Sequence, residues 1–278
     1  MTRLLALILL LLAAPAFAAG LQISGRATPG GLLVITVPPG DGGLKVNGAA
    51  IPAAEPGRYL FGISRDAQGA IVLETFAGRS QTLPLEPRSY RIQRLPALGV
   101  TDSPAPEWVA RRETEVAQML AGKWAAASAL GDSAREATGW KEGFSRPASG
   151  RETGVYGSQR VYGGLPRSPH WGLDIAAPIG TPVIAPASGI VRVATGPFLL
   201  EGNVVMLDHG GGLVTTYLHL SSMAVKPGDR MKRGQKLGAI GTTGRSTGPH
   251  LHWGMSLVRP ATGGMLDEVR LDPRLMLQ

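Results

Sequence analysis

The chain of 278 residues contains no cysteine. Disulfide bonds, cysteine nucleophiles, thiolate metal ligands and lipid attachment to a cysteine are therefore excluded. A structural zinc site is also disfavoured, because such sites are usually closed by thiolates. A metal site in this chain would depend on histidine and carboxylate side chains.

No run of clustered lysine and arginine appears either, although 28 basic residues against 20 acidic ones give a net charge of +8. The surplus suits an anionic surface such as nucleic acid, anionic lipid or an acidic cell-envelope polymer. Scattered basic residues do not form the pattern that follows phosphates, so we expect no nucleic-acid partner. A solvated basic surface without a partner is the alternative.

A membrane-spanning apolar run is missing as well. Residues 4–14 are apolar but fall short of the about 20 residues that a span needs. Arg3 precedes this stretch, and the small-residue pattern Ala16-Phe17-Ala18 follows it. This layout predicts a signal peptide over residues 1–18, with an uncleaved anchor as the alternative. We expect an exported protein, in the periplasm or secreted, with no membrane span once the signal is removed.

Glycine and proline are abundant, with 39 and 22 residues. Such turn-rich composition favours many short strands and predicts a mainly β protein. Within residues 20–95, strand patterns at 32–37, 58–63, 70–76 and 89–95 alternate with turn sequences, which predicts a small β-sandwich-like domain. This stretch has no histidine, and we identify no catalytic cluster in it.

A helical linker is predicted over residues 103–138. Ser103 can cap the helix, and prolines are tolerated in its first turn. Apolar residues then recur at helical spacing and predict the face that packs on a domain. They are Val109, Val116, Leu120, Trp124 and Ala127. Strand patterns return in residues 144–278, which we assign to a third part of the chain.

All five histidines lie in this last part. Three motifs carry four of these histidines. HWGLD runs from His170 to Asp174 and adds a carboxylate, YLHL contains His219, and GPHLHW contains His250 and His252. Strand alternation places His250 and His252 on one face, so that both imidazoles can enter one pocket. Taken alone, each motif is also compatible with a purely structural role.

The strand pattern LVTTYLHL places Thr215, Tyr217 and His219 on one polar face and indicates a groove rather than a core. His209, beside a glycine-rich turn, is expected to have a structural or supporting role. Together, the histidines and the aspartate could supply three metal ligands with an open fourth position, which is typical of catalytic zinc. The remaining imidazoles could transfer protons.

The run from HWGLDIAAPIGTPVIAPASG through LDHGGGLVTTYLHLSS to GTTGRSTGPHLHWGM closely resembles the lysostaphin-type (LytM-type) zinc metallopeptidases. The resemblance covers about residues 144–258. It implies an antiparallel β-sheet-rich catalytic domain that cleaves peptide bonds in peptidoglycan. The segment SYRIQRLPALGV is similar to the β-domain that precedes the peptidase in some exported bacterial members.

The resemblance also implies roles for individual residues. His170, Asp174 and His252 match the zinc ligands of the family. His219 and His250 match its two catalytic histidines, which orient water and handle protons. Tyr217 matches a position near the oxyanion side of the cleft.

Two functional classes follow. The first is an exported zinc endopeptidase that acts on peptidoglycan stem peptides or cross-links. The second is a non-enzymatic regulator that uses the same fold to activate a separate cell-wall amidase, which would make a protein its partner. Regulators of this type typically lack a zinc ligand, whereas this chain has all three, so the complete set favours the enzyme. A module that only binds peptidoglycan is a third alternative.

Overall fold

The computed structural model describes residues 20–96, 105–130, 137–261, 263 and 265–278. The predicted signal peptide and the predicted helix cap Ser103 lie outside these residues. Strands dominate the described part of the chain, which confirms the mainly β prediction. No helix within the described ranges is long and apolar enough to cross a membrane.

The N-terminal part forms two small antiparallel sheets. Their strands are β1 (Gln22–Gly25), β2 (Leu32–Thr36), β3 (Leu44–Val46), β4 (Ala49–Ile51), β5 (Arg58–Gly62), β6 (Ala70–Thr75) and β7 (Ser80–Pro84). One sheet has the order β1-β2-β5, and the other has the order β4-β3-β6-β7. Leu33 and Ile35 of the first sheet share a buried cluster with Leu44 and Leu73 of the second. The two sheets therefore pack face to face as a sandwich.

The C-terminal part is built around an eight-stranded antiparallel sheet. The remaining strands of the chain are β8 (Ile92–Leu95), β9 (Arg151–Gly154), β10 (Gln159–Tyr162), β11 (Leu165–Pro166), β12 (Gly172–Ala176), β13 (Pro182–Ile184), β14 (Gly189–Phe198), β15 (Gly202–Asp208), β16 (Leu213–Leu220), β17 (Ser222–Met223), β18 (Arg230–Met231), β19 (Lys236–Ala239), β20 (His250–Pro260) and β21 (Leu266–Leu271). The large sheet has the order β18-β14-β15-β16-β20-β12-β9, and β21 pairs with β20. Smaller sheets have the orders β13-β19-β17 and β11-β10-β8.

The large sheet has two faces with different surroundings. Tyr217 in β16 lies opposite Trp253 in β20, which in turn lies opposite Leu173 in β12. All three are fully buried in the main core. Because side chains alternate along a strand, their sequence neighbours face the other side of the sheet. Val214 and Val258 are buried on that second face, in a separate cluster.

Helix α1 (Pro106–Ser128) packs on the second face through small residues. Ala126 and Ala127 belong to the same buried cluster as residues of β15, β16 and β20. At Gly122 the helix comes so close to β14 that an added Cβ would lie 2.4 Å from Val193 Cγ2. The close approach therefore depends on the absence of a side chain at this position.

The predicted apolar face of this helix is wrong for three of its five residues. Val109, Val116 and Leu120 are 39%, 38% and 43% exposed. The buried face instead includes Lys123, whose Nζ lies 2.7 Å from both carboxylate oxygens of Glu268. Hydrophobic periodicity could not indicate this orientation, because a buried ion pair and small residues determine it.

The two parts of the chain share a hydrophobic core. Leu32 and Leu60 of the N-terminal sandwich belong to the same buried cluster as Trp253. Arg88 forms an ion pair with Asp272, whose side chain is almost completely buried. Separating the sandwich from the large sheet would expose apolar surface on both and leave Asp272 unpaired.

Candidate active site

His170, Asp174 and His252 place three donor atoms at one point. His170 Nε2 lies 3.0 Å from Asp174 Oδ1 and 3.0 Å from His252 Nδ1. His252 Nδ1 lies 2.9 Å from Asp174 Oδ1. All three atoms lie within 4.8 Å of one another. The structure thus brings together the three residues that the sequence singled out as metal ligands.

Strand register positions two of these side chains. Asp174 in β12 lies directly opposite His252 in β20, and directly opposed residues point to the same face of a sheet. His170 precedes β12, and its backbone N–H donates a 2.8 Å hydrogen bond to Ser158 O. This bond holds the segment before β12 so that the imidazole returns over the strand toward Asp174.

Two glycines leave room for the cluster. A Cβ on Gly154, which lies beside Asp174 in the sheet, would come within 2.2 Å of Asp174 Oδ2. A Cβ on Gly172 would come within 2.7 Å of His252 Nε2. Gly154 could not be predicted as part of the site, because a single glycine in a strand gives no sign of a carboxylate across the sheet.

Hydrogen bonds set the protonation state of the cluster. His170 Nδ1 lies 3.1 Å from Val155 O, and donation to this carbonyl leaves the Nε2 lone pair directed at the cluster. Burial opposes ionisation of Asp174, but the adjacent imidazoles of His170 and His252 hold the pKa of this carboxyl well below its usual range. Burial is also the largest influence on His252 and lowers its pKa. The cluster therefore combines an ionised carboxylate with imidazoles, a charge distribution that attracts a cation.

His219 and His250 stand next to the cluster without joining it. Their ring centroids are 4.7 Å apart, and the His219 centroid lies 6.4 Å from that of His252. His219 Nδ1 lies 2.9 Å from Thr243 O, and His250 Nδ1 lies 2.8 Å from Gly248 O. Donation to these carbonyls leaves both Nε2 atoms free to exchange protons.

A backbone irregularity brings His219 to this position. Its φ angle is 64°, in the left-handed region, and the pairing of β15 with β16 shifts register between Asn203 and Val205. Strand alternation is therefore broken just before His219. The side chain leaves the face occupied by Tyr217 and approaches His250 and His252 on the other.

Thr243 and Asn203 hold this irregular segment in place. The Thr243 hydroxyl donates a 2.9 Å hydrogen bond to Leu220 O and accepts one of 2.9 Å from Asn203 N. Asn203 Nδ2 donates a further 2.8 Å bond to Leu220 O. Neither residue could be predicted, because nothing in the sequence signals the contact between these distant segments.

The structure does not support the predicted location of Tyr217. Its side chain is completely buried on the core face, and its Oη lies 2.8 Å from Thr215 Oγ1. Thr215 Oγ1 in turn lies 2.7 Å from His209 Nε2. The expectation that Thr215, Tyr217 and His219 share one face is wrong for His219, since the left-handed backbone intervenes. His209 is fully buried, and burial lowers its pKa to about 4.

The donor set fits a divalent transition metal. Two imidazoles and one carboxylate are ligands that zinc accepts, and three protein ligands leave a fourth position open. The hydrogen bond from His170 to Val155 O is the kind of outer contact that orients a metal-binding histidine. The residues present therefore suit a catalytic metal better than a closed structural one.

Comparison with known proteins agrees with this geometry. Residues 168–264 match the sequence model of Peptidase family M23, a span that includes all five residues around the site. This part of the chain is therefore similar to Peptidase family M23. The resemblance to lysostaphin-type peptidases inferred from the motifs is confirmed.

Among curated proteins, the chain is 50% identical over 86 residues to the peptidoglycan DD-endopeptidase ShyA of Vibrio cholerae, covering 31% of this chain and 20% of ShyA. It is 45% identical over 86 residues to the DD-carboxypeptidase/endopeptidase Mpg of Neisseria meningitidis, covering 30% of this chain and 19% of Mpg. The chain thus spans about a fifth of the length of these relatives. A solved structure from Pseudomonas aeruginosa, described as an M23 peptidase, is similar over 91% of this chain and 95% of its own, with 26% identity and a TM-score of 0.59.

Proposed function

We propose that the protein is an exported, zinc-dependent endopeptidase that hydrolyses peptide cross-links or stem peptides of bacterial peptidoglycan. The observation that carries this proposal is the three-donor cluster of His170, Asp174 and His252, with two further imidazoles beside it. The M23 domain and the names of the peptidoglycan endopeptidase relatives support it.

The chemistry divides between the cluster and the two neighbouring histidines. Zinc held by His170, Asp174 and His252 would supply a Lewis acid and lower the pKa of bound water. His219 and His250 would hold the attacking water in line with the scissile carbonyl through their free Nε2 atoms. In turn they would accept the proton of this water, stabilise the developing oxyanion and deliver a proton to the departing amine.

The proposal includes the organisation and location of the chain. The signal peptide of residues 1–18 would direct export to the periplasm and be removed. Residues 20–95 would form the N-terminal β-domain, 103–138 the helical linker and 144–278 the peptidase domain. Peptidoglycan is the natural substrate in that compartment, in agreement with what the relatives are named for.

The test is digestion of cross-linked peptidoglycan by the purified protein, with and without a zinc chelator, followed by mass spectrometry of the muropeptides. We expect dimers to be converted to monomers, chelation to stop the conversion, and Asp174→Asn to abolish it. Asp267→Asn is a matched control, because Asp267 is exposed and outside the cluster. The product masses would identify the bond that is cut.

The regulator hypothesis makes a different prediction for the same experiment. Dimers would stay intact, and the protein would instead accelerate hydrolysis by an added cell-wall amidase. Asp174→Asn would leave this stimulation unchanged, since a regulator does not need the metal cluster. A protein that only binds peptidoglycan would give neither hydrolysis nor stimulation.

A further inference from the structure

A three-stranded ribbon, formed by β11, β10 and β8, adjoins the candidate active site. Strands β10 and β11 lie in the segment between β9 and β12, directly before His170. Gly157 N donates a 2.8 Å hydrogen bond to His170 O, and His170 N donates one of 2.8 Å to Ser158 O. The ribbon is thus tied to the backbone of a metal-ligand candidate.

One face of this ribbon gathers arginines. Arg160 in β10 lies opposite Gln93 in β8, and strand alternation places Arg91 on the same face. The guanidinium of Arg167 lies 6.0 Å from the ring centroid of Tyr162, which alternation also assigns to this face. We call this surface the arginine face: Arg91, Arg160 and Arg167, with Gln93 and Tyr162 between them.

The arginine face carries positive charge without carboxylate partners. Arg91, Arg160 and Arg167 are all exposed, and none forms an ion pair within the described part of the chain. Residues 87–96 and 157–171 contain neither aspartate nor glutamate. By contrast, the neighbouring Arg65 and Arg88 are paired with acidic side chains. An arginine cluster that the fold leaves unpaired is suited to an external anion.

Its position restricts the partner. Arg167 precedes His170 by three residues, so their Cα atoms are separated by at most about 11 Å. A peptide of several residues can reach from the cluster to the arginine face. Guanidinium groups bind carboxylates in a bidentate manner, and the Gln93 amide can bond to a peptide backbone.

We infer that the arginine face binds the free carboxylates of peptidoglycan stem peptides and presents the adjoining peptide bond to the His170–Asp174–His252 cluster. This inference rests on the proposed function and adds a substrate class to it, namely stems with ionised side-chain or terminal carboxylates. Part of the net positive charge of the chain would thus lie close to the candidate metal site.

Sedimentation with purified peptidoglycan sacculi tests the inference. The protein carries His219→Ala in all binding measurements, to limit digestion. With Arg91, Arg160 and Arg167 all changed to Gln, we expect about tenfold weaker binding at about 0.01 M salt, from the sum of three exposed ion pairs. The difference should shrink at about 0.15 M, where the Debye length falls from about 30 Å to about 8 Å.

The matched control removes the same charge elsewhere. Lys226, Lys232 and Lys236 are exposed and lie near β18, at the opposite edge of the large sheet from β9. Changing these three to Gln should leave binding within about twofold of the reference. Replacing the three arginines by Lys should keep most of the binding, since the charge is retained.

A second measurement needs no substitution in the arginine face. Sacculi whose carboxylates have been converted to amides should bind the protein about tenfold more weakly than native sacculi. Equal binding to native and amidated sacculi, or equal loss with the lysine control, would overturn the inference. Binding to vesicles of anionic phospholipid is measured as well. The inference would also be overturned if the arginine variant lost binding to these vesicles but kept its binding to sacculi.

Failure of the proposed function would look different. In one outcome, the protein with His219 intact cuts no cross-link while binding still depends on carboxylates and on the arginine face. That result would support the binding role of the arginine face and contradict the endopeptidase proposal. If cross-links are cut by the arginine variant as fast as by the unmodified protein, with unchanged binding, the endopeptidase stands and the arginine face does not.

Discussion

The chemistry of His219 depends on its surroundings. Burial lowers its pKa below the ordinary value of 6.5, although the hydrogen bond to Thr243 O acts in the opposite direction. The nearby imidazoles of His250 and His252 lower it further. A base has to be neutral to accept a proton, so the lowered pKa extends the active range toward acid.

The lowered pKa of His219 determines how kcat/KM should depend on pH. As pH falls through the lowered pKa, His219 takes up a proton and can no longer act as a base. We expect kcat/KM to be steady near neutral pH and to fall only below pH 6.5, the ordinary histidine value. The measurement is a pH profile with bound metal determined at each point, because acid also protonates metal ligands. A rate that does not fall between about pH 8 and about pH 4 would contradict the role of a histidine base.

Tyr217 allows a test of the two faces of the sheet. Tyr217→Phe removes the hydroxyl that contacts Thr215, while Thr215 keeps its contact with His209. We expect the free energy of unfolding to fall by about 1 kcal/mol, with metal content and kcat/KM unchanged. Urea unfolding and turnover of a dimeric muropeptide check this. A large loss of turnover at unchanged stability would instead support the oxyanion role predicted from the sequence.

The positions of site residues could be predicted from the sequence where the strand that carries them is regular. His250 and His252 share a face because β20 is regular over this segment, and Asp174 lies across from His252. Alternation was not sufficient at His219, since a register shift and a left-handed φ angle intervene. Its place at the site was inferred only through resemblance to a family.

At the scale of elements, three of the four strand patterns expected in residues 20–95 agree closely with the structure. The pattern at 89–95 does not, because β8 covers only Ile92–Leu95 and pairs with β10 instead of joining the sandwich. The expected strands at 32–37, 58–63 and 70–76 match β2, β5 and β6 to within one residue. The short strands β3 and β4 were not predicted, because three residues give no measurable periodicity. The packed face of α1 could not be predicted either, since it depends on Gly122 and on a lysine paired across the fold.

Helix α1 provides a prediction about packing. In an exposed helix interior, replacing Gly by Ala would stabilise by about 1 kcal/mol. At Gly122 the new methyl would lie 2.4 Å from Val193 Cγ2, so we expect Gly122→Ala to lower the free energy of unfolding by about 1–3 kcal/mol. Urea unfolding measures the effect.

The control is the same substitution in a Val193→Ala background. Removal of the Val193 methyl groups should relieve the clash, so the cost of Gly122→Ala should largely disappear in a double-mutant cycle. Equal costs in both backgrounds would show that the helix does not pack on β14 through Gly122.

At the scale of the whole molecule, the two parts of the chain form one structural unit around the site. The N-terminal sandwich contributes Leu32 and Leu60 to the core that lies beneath β12 and β20, the strands that carry the candidate ligands Asp174 and His252. It is followed by β8, which belongs to the ribbon next to His170. The sequence indicated separate parts through changes in composition, but it could not show that they share a core, because such contacts join residues far apart in the chain.

The most direct test of the central claim is a zinc titration of metal-free protein that follows bound metal and turnover together. We predict that turnover of a cross-linked muropeptide rises in proportion to bound zinc and stops at one ion per chain. His170→Ala should lose both the ion and the activity. His219→Ala should retain the ion but lose a factor of about 10²–10⁴ in rate. Full turnover in the metal-free protein, or an ion that His170→Ala still binds at the original affinity, would contradict the account.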